Sequence, residues 1–264
     1  METKVIRPIV KVGNSSGVIL PRGWLNHRAE VRLIASSMFN LLGDVLNILS
    51  EKIEISEIKG IYLIGSYARK EDRLDSDVDF LVISTKTNMI IKQGQYEISV
   101  VSKESLESSL KKNIMPYVPM IVEAKPILNG DLIKELLEYA KVTKRNVKWY
   151  VDTTRLSIKE NEELIKMSRE LGENKVGDAI AYSLILRIRG FYIIDCLRKN
   201  KLWSNIDFVK IVKTVSGSDS AYKRYIYLKD DENSIKDALL MSEAEKLLAY
   251  LKDKLKGYEK WLNE

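Results

Sequence analysis

Hydrophobic and polar positions fall into three patterns along the chain. Residues 3–34 carry short apolar runs: Val5, Ile6, Ile9, Val10 and Val12, then a turn over 13–17, then Val18-Ile19-Leu20 stopped by Pro21. A further short strand is expected over 29–34. Some thirty residues of hairpin bury no core of their own, so this piece needs a partner surface. Residues 35–140 alternate helix and strand. A helix with Phe39, Leu42, Val45, Leu46 and Leu49 on one stripe leads into Ile61-Tyr62-Leu63-Ile64, a continuous apolar run suited to a central strand. A short helix follows Gly65-Ser66. Strands are expected over 78–84 and 96–102 with a loop containing Gly94 between them, then a helix from Lys103. An extended piece over 120–128, bounded by prolines, precedes a helix from Asp131. Residues 141–264 read as helical throughout. Ile180, Leu184, Ile188, Phe191 and Ile194 form one stripe. Met241, Ala244, Leu248, Leu251, Leu255, Tyr258 and Leu262 form another, at alternating spacings of three and four.

The expected fold class is therefore α+β. A short N-terminal β-hairpin module (1–34) is followed by a mixed-sheet core (35–140) and a C-terminal helical bundle (141–264). The most apolar stretch, 183–197, is interrupted by Arg187, Arg189 and Asp195, which makes it a buried helix and not a membrane span. A lone cysteine, Cys196, excludes an intramolecular disulfide and a cysteine-rich zinc site. With no signal peptide in view, a cytoplasmic setting is expected. The net charge of +6 suits anionic partners such as nucleotides or nucleic acid, and suits equally an ordinary solvated surface on which Lys and Glu are mixed.

Candidate chemistry concentrates between Ile61 and Ser84. A buried strand runs into Gly65-Ser66 and then a helix. Glycine lets a ligand approach the backbone, and the helix start offers unpaired N–H groups and a positive dipole end. The Ser66 hydroxyl either caps that helix or meets a phosphate oxygen. Eleven residues on comes Asp77-Val78-Asp79. At positions i and i+2 of a strand both carboxylates face the same way. Two like charges that close are tolerated where a divalent cation lies between them, and hard oxygen ligands completed by phosphate select Mg²⁺.

The sequence Gly65-Ser66-x-Ala68-Arg69, a spacer, and Ser76-Asp77-x-Asp79 followed by apolar residues resembles the signature of the DNA-polymerase-β-like nucleotidyltransferases, in particular the minimal ones. The resemblance implies that Gly65 and Ser66 hold a nucleoside triphosphate such as ATP, with Arg69 nearby, and that Asp77 and Asp79 hold Mg²⁺. It implies attack of an acceptor hydroxyl on the α-phosphate with release of pyrophosphate, by two-metal in-line displacement. Lys70 replaces a frequent glycine of the pattern. Arg69, Lys70 and Arg73 are phosphate candidates; pairing with Asp72 or Asp75 on the surface is an equal reading for Arg69, and surface pairing is the favoured one for Lys70 and Arg73. One position departs: the third acid of the family aligns with Ser99, which cannot act as a base. Glu97 lies two residues earlier on the same strand face and is the expected substitute. The chemistry is expected to be nucleotidyl transfer to an acceptor hydroxyl. The alternative is a DNA-binding dimeric regulator whose nucleotidyltransferase-like domain binds nucleotide without efficient transfer.

Residues 4–34 resemble one copy of an AbrB/SpoVT-type swapped hairpin, through Gly13-Asn14-Ser15 and Pro21. That likeness implies a homodimer and, through Arg7, Lys11 and Arg22, contacts to DNA phosphates; dimerisation without DNA is the other reading. Residues 141–264 resemble the helical partners of minimal nucleotidyltransferases, of the HEPN or kanamycin-nucleotidyltransferase C-terminal kind. The Arg-x₄₋₆-His pair of HEPN ribonucleases is missing, because the single histidine is His27, read as a loop or surface residue.

Overall fold

The computed structural model describes residues 5, 7, 9–31, 38–72, 76–229 and 239–264. It divides into two compact units, Met1–Ser37 and Met38–Glu264. In the first, β1 (Ile9–Val12) pairs antiparallel with β2 (Ser15–Val18), with Val12 opposite Ser15. The connection is therefore the two residues Gly13-Asn14, shorter than the five-residue turn expected. Gly13 has φ +59°, and a glycine at the first position of a two-residue hairpin supplies that conformation without steric cost. Residues 29–31 are irregular and not strand, and 32–34 lie outside the described residues. Ile9, Val12, Ile19 and Leu25 are all exposed in this unit.

The second unit is a mixed α+β structure. Its sheet, among the described residues, has five strands in the order β5-β6-β4-β3-β7: β3 (Ile58–Leu63), β4 (Val78–Ser84), β5 (Met89–Gln93), β6 (Tyr96–Ser102) and β7 (Lys125–Leu128). Strand β3 runs antiparallel to β4 and β7, while β4 and β6 are parallel. The end of β3 and the starts of β4 and β6 consequently meet at one end of the inner strands, and this end carries the candidate chemistry.

Alternation along the strands sends side chains to two layers. Ile61, Phe80, Val82 and Ile98 pack on one face with Val45 and Leu49 of α1 (Met38–Ser50). Tyr62, Leu81, Ile83 and Val101 pack on the other with α3 (Lys103–Lys112), α4 (Tyr117–Glu123) and α5 (Gly130–Tyr139). That second layer runs without a break into α6 (Lys144–Glu170), α7 (Asp178–Arg198), α8 (Asn205–Ser216), α9 (Ser220–Lys229) and α10 (Met241–Asn263). The helices after residue 140 thus share one core with the sheet. Phe191 of α7 stacks on Tyr258 of α10 at 4.6 Å. No described helix is long and apolar enough to cross a membrane.

Two elements of the second unit differ from the sequence expectation. Strand β5 stands where only a loop was expected: it is an edge strand with Ile90 exposed and Ile91 buried, too short and too polar to show a period. Of the piece expected to be extended over 120–128, residues 120–123 belong to α4 and 125–128 form β7. Pro116 stands at the N-cap of α4 and Pro119 in its first turn, where a missing N–H costs no helical hydrogen bond.

Candidate active site

The junction between β3 and β4 is built by a glycine. Gly65 opens the five-residue helix α2 (Gly65–Arg69) with φ +71°, a left-handed conformation that side-chain-bearing residues avoid. Asp79, on the neighbouring strand, fills the space a side chain would need: a Cβ at residue 65 would lie 2.0 Å from Oδ2 of Asp79. The Ile64 amide donates to the Asp79 carbonyl at 2.9 Å. Two motif segments fourteen residues apart in sequence are thereby in contact, as the pairing of β3 with β4 requires. Asp77 is exposed one residue before β4, on the parity of Asp79. At the other end of α2, Lys70 has φ +59°, a conformation that glycine adopts without cost.

Beneath α2 lies a set of groups from distant parts of the chain. Glu123, at the end of α4, is 6% exposed. Its Oε1 accepts the Gly65 amide at 2.9 Å, and its Oε2 accepts Nη1 of Arg69. The Arg69 guanidinium also donates to Glu71 at 3.3 Å and lies over the Trp203 ring at 5.7 Å. Glu71 in turn accepts the Asn205 amide at 3.1 Å, at the start of α8. Burial pushes the Glu123 carboxyl above its usual range; Arg69 and the Gly65 amide oppose this without cancelling it. Burial also acts upward on Glu71, but hydrogen bonds from Ser204, Asn205 and Arg69 hold it below the usual range. The sequence reading missed Glu123, Glu71 and Trp203. The available signal was a single carboxylate inside the apolar run Met120-Ile121-Val122-Glu123-Ala124. Glu123→Ala should cost about 3 kcal/mol in urea unfolding, because it removes one of the two carboxylates that hold a buried guanidinium and leaves the Gly65 N–H without its acceptor; a loss under about 1 kcal/mol would contradict this role.

Glu97 pairs in register with Asp79 across the parallel strands β4 and β6, on the same face of the sheet, with Ser99 opposite Leu81. Its Oε2 is ion-paired to Lys92 at 3.1 Å, and Lys92 belongs to β5, on the side of β6 away from β4. Among the described residues no three His, Cys, Asp or Glu side chains converge tightly enough to hold a metal ion. The structure thus brings Gly65, Ser66, Asp77, Asp79 and Glu97 to one end of the inner strands and does not draw the three carboxylates onto one point. Arg69 lies beside this end of the strands, engaged by Glu123 and Glu71. Arg73 lies outside the described residues. Arg7, Lys11, Arg22 and His27 are exposed in the N-terminal unit.

Strand, left-handed glycine, short helix and an Asp-x-Asp strand in contact with that glycine make up the site, and a family model recognises the stretch of chain that builds it. Residues 42–171 match the nucleotidyltransferase domain family. The match takes in α1 from residue 42 onward, the whole five-stranded sheet and α2 to α6, a little under half of the chain. No curated protein matches the sequence. Several solved structures resemble it, and two illustrate the likeness. One is a nucleotidyltransferase-like protein from Exiguobacterium sibiricum, at 15% identity over 82% of this chain and 75% of that one, with a TM-score of 0.35. The other is a spectinomycin adenyltransferase from Enterococcus faecialis, solved with ATP and spectinomycin, at 14% identity over 83% and 99%, with a TM-score of 0.41. Both likenesses are too distant to carry an argument about this chain's substrates.

Proposed function

We propose that the nucleotidyltransferase domain moves a nucleotidyl group from a nucleoside triphosphate to an acceptor hydroxyl, with Mg²⁺ as cofactor. The observation that carries this reading is the direct contact between Gly65 and the Asp79 carboxylate. It sets a backbone with no side chain beside an acid pair, which is what a polyphosphate and its counter-ion need. Two carboxylates fit Mg²⁺, which is commonly bound through one or two acids with substrate phosphates and waters completing its shell. Bound there, the ion would neutralise charge that builds on the phosphate oxygens.

The chain's own residues have separate tasks in this scheme. The Gly65 amide is turned inward to Glu123, so the triphosphate meets α2 from Ser66 onward. Arg69 acts as a positioning residue, because its guanidinium fastens α2 to Glu123 and Glu71. Asp77 and Asp79 hold the cation. Glu97, in register with Asp79, accepts the acceptor's proton once its carboxylate turns from the exposed Lys92 toward β4. The test is incubation with labelled ATP, CTP, GTP and UTP plus Mg²⁺ and cell extract. A labelled acceptor that disappears in the Asp79→Asn variant supports transfer; nucleotide binding with no labelled acceptor in any of the four reactions would support the regulator reading instead.

For the N-terminal unit we propose homodimerisation. A two-stranded hairpin with Ile9, Val12, Ile19 and Leu25 exposed lacks the apolar cover that a second hairpin would provide. Arg7, Lys11 and Arg22 are the residues that would meet DNA phosphates in the regulator reading.

A further inference from the structure

A groove of about 460 Å³ lies between the start of α6 and the end of α10, and neither Asp77 nor Asp79 is among its lining residues. Lys144, Arg145 and Lys148 line one wall, and Leu262 and Asn263 line the other. The acids at its rim are already engaged: Arg155 donates to Glu259 at 2.8 Å and to Asp152 at 3.0 Å, which ties α6 to α10. Lys144, Arg145 and Lys148 are exposed, and none forms an ion pair with a described residue. Elsewhere on the helices Lys and Arg are often paired with acids three or four residues away.

The concentration of charge has a structural origin. Asn146 is 1% exposed and works as a staple. Its side-chain amide donates to the carbonyls of Leu110 and Lys141, its side-chain oxygen accepts the Thr143 amide, and its own carbonyl accepts the Ile114 amide. The end of α3 with Lys111 and Lys112 and the approach to α6 with Lys141 are thereby fastened beside Lys144 and Arg145. Two cations in the first turn of α6 also stand against the helix dipole, so helix stability does not account for them. Trp149, four residues from Arg145 and so on the same side of α6, is 51% exposed.

We infer that this groove binds single-stranded nucleic acid. The unpaired cations would neutralise backbone phosphates, and Trp149 would offer a face on which a base stacks. A folded acidic protein would use the charge but not the exposed ring beside it. The inference stands apart from the transfer chemistry, since it concerns binding alone.

The test is fluorescence anisotropy on the full chain with labelled single-stranded RNA and DNA of about 20 nucleotides at several salt concentrations. Binding should weaken steeply with salt. Lys144→Gln/Arg145→Gln/Lys148→Gln should reduce the slope of log K against log salt by about 2, given roughly 0.7 for each phosphate contact on a single strand. Trp149→Ala should lower affinity about tenfold with the slope unchanged. A preference between RNA and DNA would identify the natural strand. Three results would overturn the inference: no binding of either strand at low salt, an unchanged slope in the triple variant, or equally tight binding of polyglutamate. Loss of binding only in Arg7→Gln/Lys11→Gln/Arg22→Gln would move the contact to the N-terminal unit and overturn it as well. Circular dichroism of each variant separates these outcomes from misfolding.

Discussion

Gly65→Ala is expected to abolish metal-dependent nucleotide binding and to destabilise the protein by about 2 kcal/mol or more. Two independent costs add at this residue. An alanine held at φ +71° loses about 1–2 kcal/mol against glycine. Its Cβ would also stand 2.0 Å from Oδ2 of Asp79, so the carboxylate has to swing out of the position it holds beside α2. Relief by backbone movement is resisted from both sides. The Gly65 amide is fastened to Glu123, and the Ile64 amide to the Asp79 carbonyl. Urea unfolding reads the stability term, and calorimetry with ATP and Mg²⁺ reads the binding term. An alanine variant with wild-type affinity would mean that the glycine serves the turn and not the ligand.

Glu97→Gln is expected to lower transfer by about 10²–10⁴-fold, the range for removing a general base, while leaving triphosphate affinity unchanged. The reason is its place in the sheet. Glu97 is opposite Asp79 on the same face, one strand removed from the acid pair, and in the proposed scheme it serves the acceptor and not the donor. Its resting ion pair with Lys92 is exposed on the lysine side and costs little to break. Ser99→Asp separates the alternatives further. If Glu97 already serves as the base, the added carboxylate should leave the rate unchanged or lower it through like-charge repulsion. A gain would mean that the site lacks its third acid. Full transfer by Glu97→Gln would remove the residue from the mechanism.

Much of this organisation was legible in the sequence because it is local. A strand breaking at Gly65-Ser66 into a helix, and an i, i+2 acid pair entering an apolar strand, are properties of residues 61–84 alone. Helices α7 and α10 were legible from stripes long enough to show their period. Strand β5 was not, because five residues at a sheet edge with one buried side chain give no pattern. Helix α4 was hidden by two prolines that a first turn tolerates.

The support under the site was hidden for a different reason. Glu123 reaches Gly65 across 58 residues of chain, and Asn205 reaches Glu71 across 134. Nothing in the spacing of either pair announces a contact that only tertiary packing makes. Arg69 shows how this changes a reading. In sequence it is a phosphate candidate or, equally, a surface partner of Asp72 or Asp75; in the structure its guanidinium is buried between Glu71, Glu123 and Trp203, where it holds α2 in place.

The central claim is that Gly65, Ser66, Asp77 and Asp79 form one cation-dependent triphosphate site. It is tested most directly by calorimetric titration of ATP into the wild-type chain and into Asp77→Asn/Asp79→Asn, each with Mg²⁺ and with excess chelator. Binding by the wild type that needs Mg²⁺, and none by the double variant under either condition, is the predicted result. Equal affinity of the two proteins in the presence of Mg²⁺ would contradict it.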